Sequence, residues 1–199
     1  MNVALVDTSS YLNLARCLHP ILGRSFGPPP WTAQAAAELQ REFDDKPSLA
    51  LTHHWFSEPA YAANRTANVF DWTSIKLMDV KSWNINILQY CRANAKKFRD
   101  AQCSVPSPAD CLLAAYAAAL VQAGNVATVV TDDKGLHLAI RLLSTSDVMH
   151  GYEMLARFAE AGHVTVDAAK ALYQELVYMS SLPAAWRQGC QASFGFPCP

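Results

Sequence analysis

The chain has no apolar run long enough to cross a membrane. Its longest uninterrupted one covers residues 111–121, and a spanning helix needs about 20. It has no Cys-x-x-Cys pair. Cys17, Cys91, Cys103, Cys111, Cys190 and Cys198 are scattered, which argues against the usual structural zinc frame. There is no Gly-x-Gly-x-x-Gly and no phosphate loop, so dinucleotide enzymes and P-loop ATPases fit poorly. There is no Gly-x-Ser-x-Gly elbow, which leaves Ser9 and Ser10 as capping or ligand-contact residues rather than nucleophiles. Asp7-Thr8-Ser9 lacks the second acid of an Asp-x-Asp phosphatase. Neither sign of charge is in excess: 16 Lys and Arg stand against 17 Asp and Glu, net −1. That excludes a protein that coats nucleic acid by net charge alone, but not a local basic rim. The opening lacks a basic segment and a long apolar stretch, so no secretory signal is expected. The expectation is a cytoplasmic protein with reduced thiols. Cys190 and Cys198 would pair only in an oxidising setting.

What is present is a folding composition. The apolar share is 51% and the charged share 17% of 199 residues, too hydrophobic for disorder. The length suits one domain, or one with an appendage, and such a chain buries roughly 70% of its unfolded surface.

Val3-Ala4-Leu5-Val6 suits a buried parallel strand. Asp7-Thr8-Ser9-Ser10 follows, a cluster of helix N-caps, and a helix over 11–18. Residues 23–30 read as a Gly and Pro loop. Residues 32–43 read as a helix with Ala35, Ala36, Leu39 and Phe43 on one side, and 48–52 as a second strand. Helical pattern returns over 57–64. Residues 75–80 fit strand or helix, and 82–99 a helix with a basic end. Ser107-Pro108-Ala109-Asp110 is a helix start with Ser as N-cap and Pro at the first position. That helix runs to about 122 and stops at Gly124-Asn125. Residues 126–130 form a β-branched strand, and a helix follows to about 143. Residues 149–160 and 165–179 read as a helical hairpin, and 183–199 as an irregular tail. Strands alternating with helices imply an α/β fold with a parallel sheet covered on both faces. The organisation is then a domain over 1–143, a hairpin extension over 144–182 and the tail.

In an open parallel sheet, ligands bind beyond the carboxyl ends of the strands. Asp7 follows the first strand directly, and Asp132 and Asp133 follow the strand at 126–130. Asp110 begins a helix, and Glu58 comes shortly after the segment at 48–52. Two carboxylates 4 Å apart repel by roughly 4 kcal/mol at an effective dielectric of 20. Several such groups, all ionised, require a cation, and hard oxygen ligands suit Mg²⁺ or Mn²⁺. Each acid also reads as a helix cap or first-turn acid. Their shared recurrence at strand ends and helix starts is what capping alone leaves unexplained.

These stretches resemble a known family. Val3-Ala4-Leu5-Val6-Asp7-Thr8-Ser9-Ser10-Tyr11-Leu12 is similar to the opening of PIN domains, an apolar strand that delivers an Asp. Ser107-Pro108-Ala109-Asp110-Cys111-Leu112-Leu113-Ala114 resembles their acidic helix start. Val129-Val130-Thr131-Asp132-Asp133-Lys134-Gly135-Leu136 resembles their strand followed by Thr-x-Asp. The resemblance covers about residues 1–142. It implies a three-layer α/β/α fold and metal-dependent endoribonuclease chemistry, with Mg²⁺ or Mn²⁺ as cofactor and RNA as substrate. Many bacterial members are toxins of toxin–antitoxin modules, held by an antitoxin protein. The ligands implied are Asp7, Asp110, Asp133 and Glu58, with Asp132 beside them and Thr8, Ser9 and Thr131 as accessory residues. The family's second acid usually follows the second strand on a helix. Glu58 is taken for it, although Pro59 makes any helix begin there rather than pass through. The alternative is a PIN-like fold without catalysis that binds RNA or a partner.

Other residues carry weaker signals. Lys96, Lys97 and Arg99, with Lys81 and Arg92, form either a phosphate-holding rim or a solvated helix face. Trp55, Trp72 and Trp83 either stack bases or pack. His53-His54 diverge on any regular element, which favours packing over metal binding. His137 lies four residues after Asp133, within reach of the same site on a helix. The tail Phe194-Gly195-Phe196-Pro197 is either a partner anchor or a loose end. The hairpin at 149–180 either closes on the sheet or completes a homodimer or antitoxin contact.

Overall fold

The computed structural model describes residues 2–71 and 75–196. At its centre is a five-stranded sheet built from β1 (Asn2–Val6), β2 (Ser25–Phe26), β3 (Trp31–Ala35), β4 (Val126–Val130) and β5 (Asp147–Met149). The spatial order is β2-β3-β1-β4-β5. The pairs β3–β1, β1–β4 and β4–β5 are parallel, and the two-residue β2 is antiparallel at the edge. Val6 sits opposite both Ala35 and Val130. Asp7 therefore leaves the sheet level with the ends of both neighbouring strands.

Successive side chains of a strand face opposite ways, and β1 shows it. Ala4 and Val6 join one core with Ala33, Ala35 and Val130. Val3 and Leu5 join the other with Ala127 and Val129. The first core is covered by α1 (Thr8–Leu18), α9 (Gly151–Glu160), α10 (Val166–Tyr178) and α11 (Ala184–Phe194). The second is covered by α5 (Leu77–Ala93), α7 (Pro108–Gln122) and α8 (Lys134–Leu143), with Phe98 of α6 (Ala95–Asp100). The result is three layers, α/β/α. Between β3 and α5 the chain forms α2 (Glu38–Asp45), α3 (Pro47–Thr52), a 3-10 turn at His54–Ser57 and α4 (Pro59–Ala67).

α7 shows how the sequence sets an element. Ser107 caps it, and its side chain and that of Asp110 bond reciprocally to each other's backbone N–H. Pro108 occupies the first position, where no N–H is missed. Residues 113–120 are all buried between α5 and the sheet. Gly124 then takes a φ of 82°, and Asn125 N donates to Leu120 O, closing the helix in the left-handed turn that glycine permits.

Several expectations change. Residues 32–43 are not one helix: β3 occupies 31–35, and α2 begins at Glu38. Residues 48–52 are not a strand but the short α3, with no buried residue. The helix expected over 82–99 breaks at Asn94 into α5 and α6. The tail is not irregular: α11 places Trp186, Gly189 and Cys190 in the core at helical spacing. Phe196 is buried, its ring 5.6 Å from that of Tyr173. Residues 144–196 supply the edge strand β5 and, with α1, the helical cover of one sheet face, so they complete the same core rather than extend it. Leu155, Phe158, Leu172 and Leu176 of the expected hairpin are buried within the chain. Trp72 and Cys198 lie outside the described residues. Among those described, no helix is long and apolar enough to cross a membrane.

Candidate active site

The carboxyl ends of β1 and β3 open into a small cleft of about 20 Å³, lined by Asp7, Thr8, Glu38, Glu42, Asp110 and apolar neighbours. Asp7 is delivered by β1: its N–H donates to Val130 O at 2.9 Å, and its carbonyl accepts from Tyr11 N at 2.8 Å. It occupies the N-cap position of α1 but makes no side-chain cap bond. Its Oδ2 instead accepts from Ser9 Oγ at 2.5 Å and Thr131 Oγ1 at 3.1 Å. Asp7 is 8% exposed. Burial pushes its carboxyl up to about 7, the charges of Asp110 and Glu42 add to the rise, and the Ser9 and Thr131 hydroxyls oppose it.

Asp110 comes from the first turn of α7. Its Oδ2 accepts from Ser107 N at 2.8 Å, so the capping reading of this residue holds along with its place in the cleft. Its carboxyl is also raised, first by burial and then by Asp133 and Glu42, while the bonds to Ser107 lower it. Asp133 caps α8, its Oδ1 accepting from Leu136 N at 2.6 Å. It is exposed and does not line the cleft, but its charge reaches Asp110. Thr131, fully buried, joins the two strand ends: its Oγ1 donates to Asp7 and accepts from Asp133 N at 3.1 Å.

Two acids that sequence reasoning missed stand in the cleft. Glu38 opens α2, and its Oε1 accepts from Tyr116 Oη at 2.7 Å. Its Oε2 is buried with no hydrogen-bond partner. Glu42 follows one turn later. Its Oε2 accepts from Thr8 Oγ1 at 2.5 Å, and its Oε1 pairs with Lys46. The signal for both is the segment at 31–35: read as a strand, it makes Glu38 the first acid of the helix that follows.

Two expected ligands are placed elsewhere. Glu58 is exposed at the N-cap of α4, where its charge acts on Tyr61. The Tyr61 ring lies tilted, 3.9 Å from that of His19, at the far end of α1 from Asp7, and α1 spans about 16 Å at 1.5 Å per residue. The cause is that 48–52 is helical, so Glu58 follows no strand. Asp132 turns away from the cleft. Its Oδ1 accepts from Gly151 N at 3.0 Å and lies 3.6 Å from His150 Nδ1, and its Oδ2 accepts from Ser10 Oγ at 3.3 Å. A Cβ on Gly151 would lie 2.8 Å from Asp132 Oδ2 and 2.9 Å from the Trp186 ring. This junction packs too closely for any larger residue.

His137 joins that junction rather than the cleft. It is buried, its ring stacked on His150 with centroids 4.0 Å apart. Burial, then His150 and Arg141, hold its pKa down at about 4. His53 packs its ring edge-on to the buried Trp55, and Trp83 Nε1 donates to Gln122 at 2.6 Å. The basic residues of α6 lie on the segment that leads to the start of α7. Lys96 pairs with Asp100 at 2.7 Å, Lys97 lies 5.5 Å from the Tyr90 ring, and Arg99 is exposed. Ser104 O then crosses the first turn of α8, and a Cβ on Gly135 would come within 2.1 Å of it.

Among the described residues, no three His, Cys, Asp or Glu side chains already stand in a group able to hold a metal ion. The donor chemistry still suits one. Mg²⁺ keeps several waters and needs only one or two carboxylates. The cleft offers the crowded Asp7 and the unpartnered Glu38 Oε2. Compared with known proteins, the chain gives no significant match to any family model, curated protein or solved structure.

Proposed function

We propose that the chain is a PIN-like endoribonuclease dependent on Mg²⁺ or Mn²⁺, acting as the toxin of a toxin–antitoxin pair. The observation that carries this reading is Asp7. A carboxylate at the end of the central strand is buried among like charges and pushed up to about 7. A carboxyl raised in this way, first by burial and then by neighbouring acids, is typical of functional sites. Asp7, Glu38 and Asp110 would hold the cation, with Asp133 beside them. When bound, the cation supplies an activated water and stabilises charge on the phosphodiester.

The chain's own residues do the rest. Ser9 and Thr131 fix the orientation of Asp7 through its Oδ2. Thr8 and Lys46 engage both oxygens of Glu42, which leaves it as a source of negative potential rather than a free ligand. Lys97 and Arg99 on α6 offer cationic contacts for the RNA backbone near the start of α7.

A second reading has its own observation. Asp110 and Asp133 both spend a carboxylate oxygen on helix caps, as expected of a PIN-like module that binds RNA or a partner without cutting. Incubating the protein with single-stranded RNA, and separately with DNA, in Mn²⁺ separates the two. Metal-dependent cleavage of RNA that is abolished in Asp7→Asn supports the nuclease. RNA binding without cleavage supports the module. Cleavage by Asp7→Asn at the wild-type rate removes Asp7 from the chemistry.

A further inference from the structure

Glu38 stands in the cleft with its two oxygens in different states. Tyr116 Oη donates to Oε1 at 2.7 Å, while Oε2 is buried and has no partner. Tyr116 lies on α7, the helix whose first turn carries Asp110, and its side chain is 9% exposed. One helix thus supplies an acid to the cleft and, farther along, the hydroxyl that grips a second acid from α2. From Cys111 to Val121 the other residues of the helix are apolar, and a phenylalanine would fill the same space. A buried phenol pays a desolvation cost that its hydrogen bond must offset.

We infer that Tyr116 is a positioning residue for Glu38: its hydroxyl occupies Oε1, so that Oε2 alone is presented to a divalent cation in the cleft. This rests on the reading of the cleft as a cation site. A carboxylate with one oxygen held by a neutral donor binds a cation through the other, and its side chain no longer has to be ordered on binding. Removing the hydroxyl frees Glu38 to rotate or to offer both oxygens.

The test is Mn²⁺ titration of the full chain by calorimetry, with electron paramagnetic resonance of the bound ion. In Tyr116→Phe the dissociation constant is expected to rise about 5- to 10-fold, the size of one lost hydrogen bond. The bound-Mn²⁺ line shape is expected to change with it. In a Glu38→Gln background, Tyr116→Phe is expected to change neither. Wild-type affinity and line shape in Tyr116→Phe would overturn the inference and leave the cation site standing. The same loss of affinity in both backgrounds would also overturn it, because Tyr116 would then act through the fold. Failure of the wild type itself to bind Mn²⁺ would instead overturn the reading of the cleft, and the inference with it. If the Phe variant does not fold, Tyr116→Met carries the same outcomes.

Discussion

Asp132 and Asp133 are neighbours at the end of β4, yet they belong to two differently built regions. On one side of the strand end, Asp132 is met by two donors, Gly151 N and Ser10 Oγ, with the His150 ring 3.6 Å away. On the other side, Asp133 faces Asp110, and beyond it Asp7 and Glu42 crowd the cleft. In the first region a carboxylate is paired and sealed beneath α9 and Trp186. In the second, carboxylates gather, and Lys46 pairs with Glu42 alone among them. A buried acid with its donors satisfied holds a fold together. A buried acid surrounded by acids weakens the fold until something positive arrives. The same residue type thus does structural work in one region and lines the candidate site in the other.

The comparison can be broken from either side. The largest effect is expected from Trp186→Ala, which empties the fully buried centre of α11 and should cost about 4 kcal/mol in chemical denaturation. An unchanged midpoint would show that the C-terminal helices are an appendage after all. Next is Asp132→Ala, which orphans Gly151 N and Ser10 Oγ and should cost about 3 kcal/mol, with Mn²⁺ affinity kept.

Asp7→Asn should act in the opposite sense. A carboxyl raised from 3.8 to about 7 on folding makes the folded state bind the proton more tightly than the unfolded one. Its contribution to stability is therefore full below pH 4 and is lost as pH rises to 7. The variant removes that slope and should be more stable than wild type by ~2 kcal/mol at pH 8, with little difference at pH 4. Thermal melts across this range check the sign. The smallest effect belongs to Glu58→Gln, within about 0.5 kcal/mol of wild type and with RNA cleavage unchanged. A loss of cleavage there would return Glu58 to the site.

Much of the second region was legible in the sequence, because β1, β4 and the start of α7 carry local signals that agree with one another. A β-branched strand, a Ser-Pro-Ala-Asp cap and a Gly-Asn stop each point to a single structure. Residues 31–37 carried no such agreement. Alanine has the highest helix propensity, so 32–43 read as one helix. Tertiary packing instead places Ala33 and Ala35 in the sheet, both fully buried beside β1. As part of one helix, Glu38 and Glu42 would sit on an ordinary helix surface, which leaves Glu58 as the second acid of the pattern. α11 was obscured for a different reason. Only Trp186, Gly189 and Cys190 of its length are buried, too few for an amphipathic stripe to stand out. The orientation of Asp132 depends on Gly151 and Ser10, residues distant in the chain, and no local pattern encodes it.

The central claim is that the acid cleft is built for a divalent cation. Calorimetric titration of Mn²⁺ into wild type and Asp7→Asn, repeated in buffers of different ionisation enthalpy at pH 6.5 and 8.5, tests it most directly. With Asp7 pushed up to about 7, cation binding at pH 6.5 must displace its proton, and at pH 8.5 it need not. The account predicts saturable binding by wild type that tightens with pH, releases a substantial fraction of a proton at pH 6.5 and close to none at pH 8.5, and loses this linkage in Asp7→Asn. Absence of saturable binding by wild type at both pH values, or identical binding and proton release in the two proteins, would contradict it.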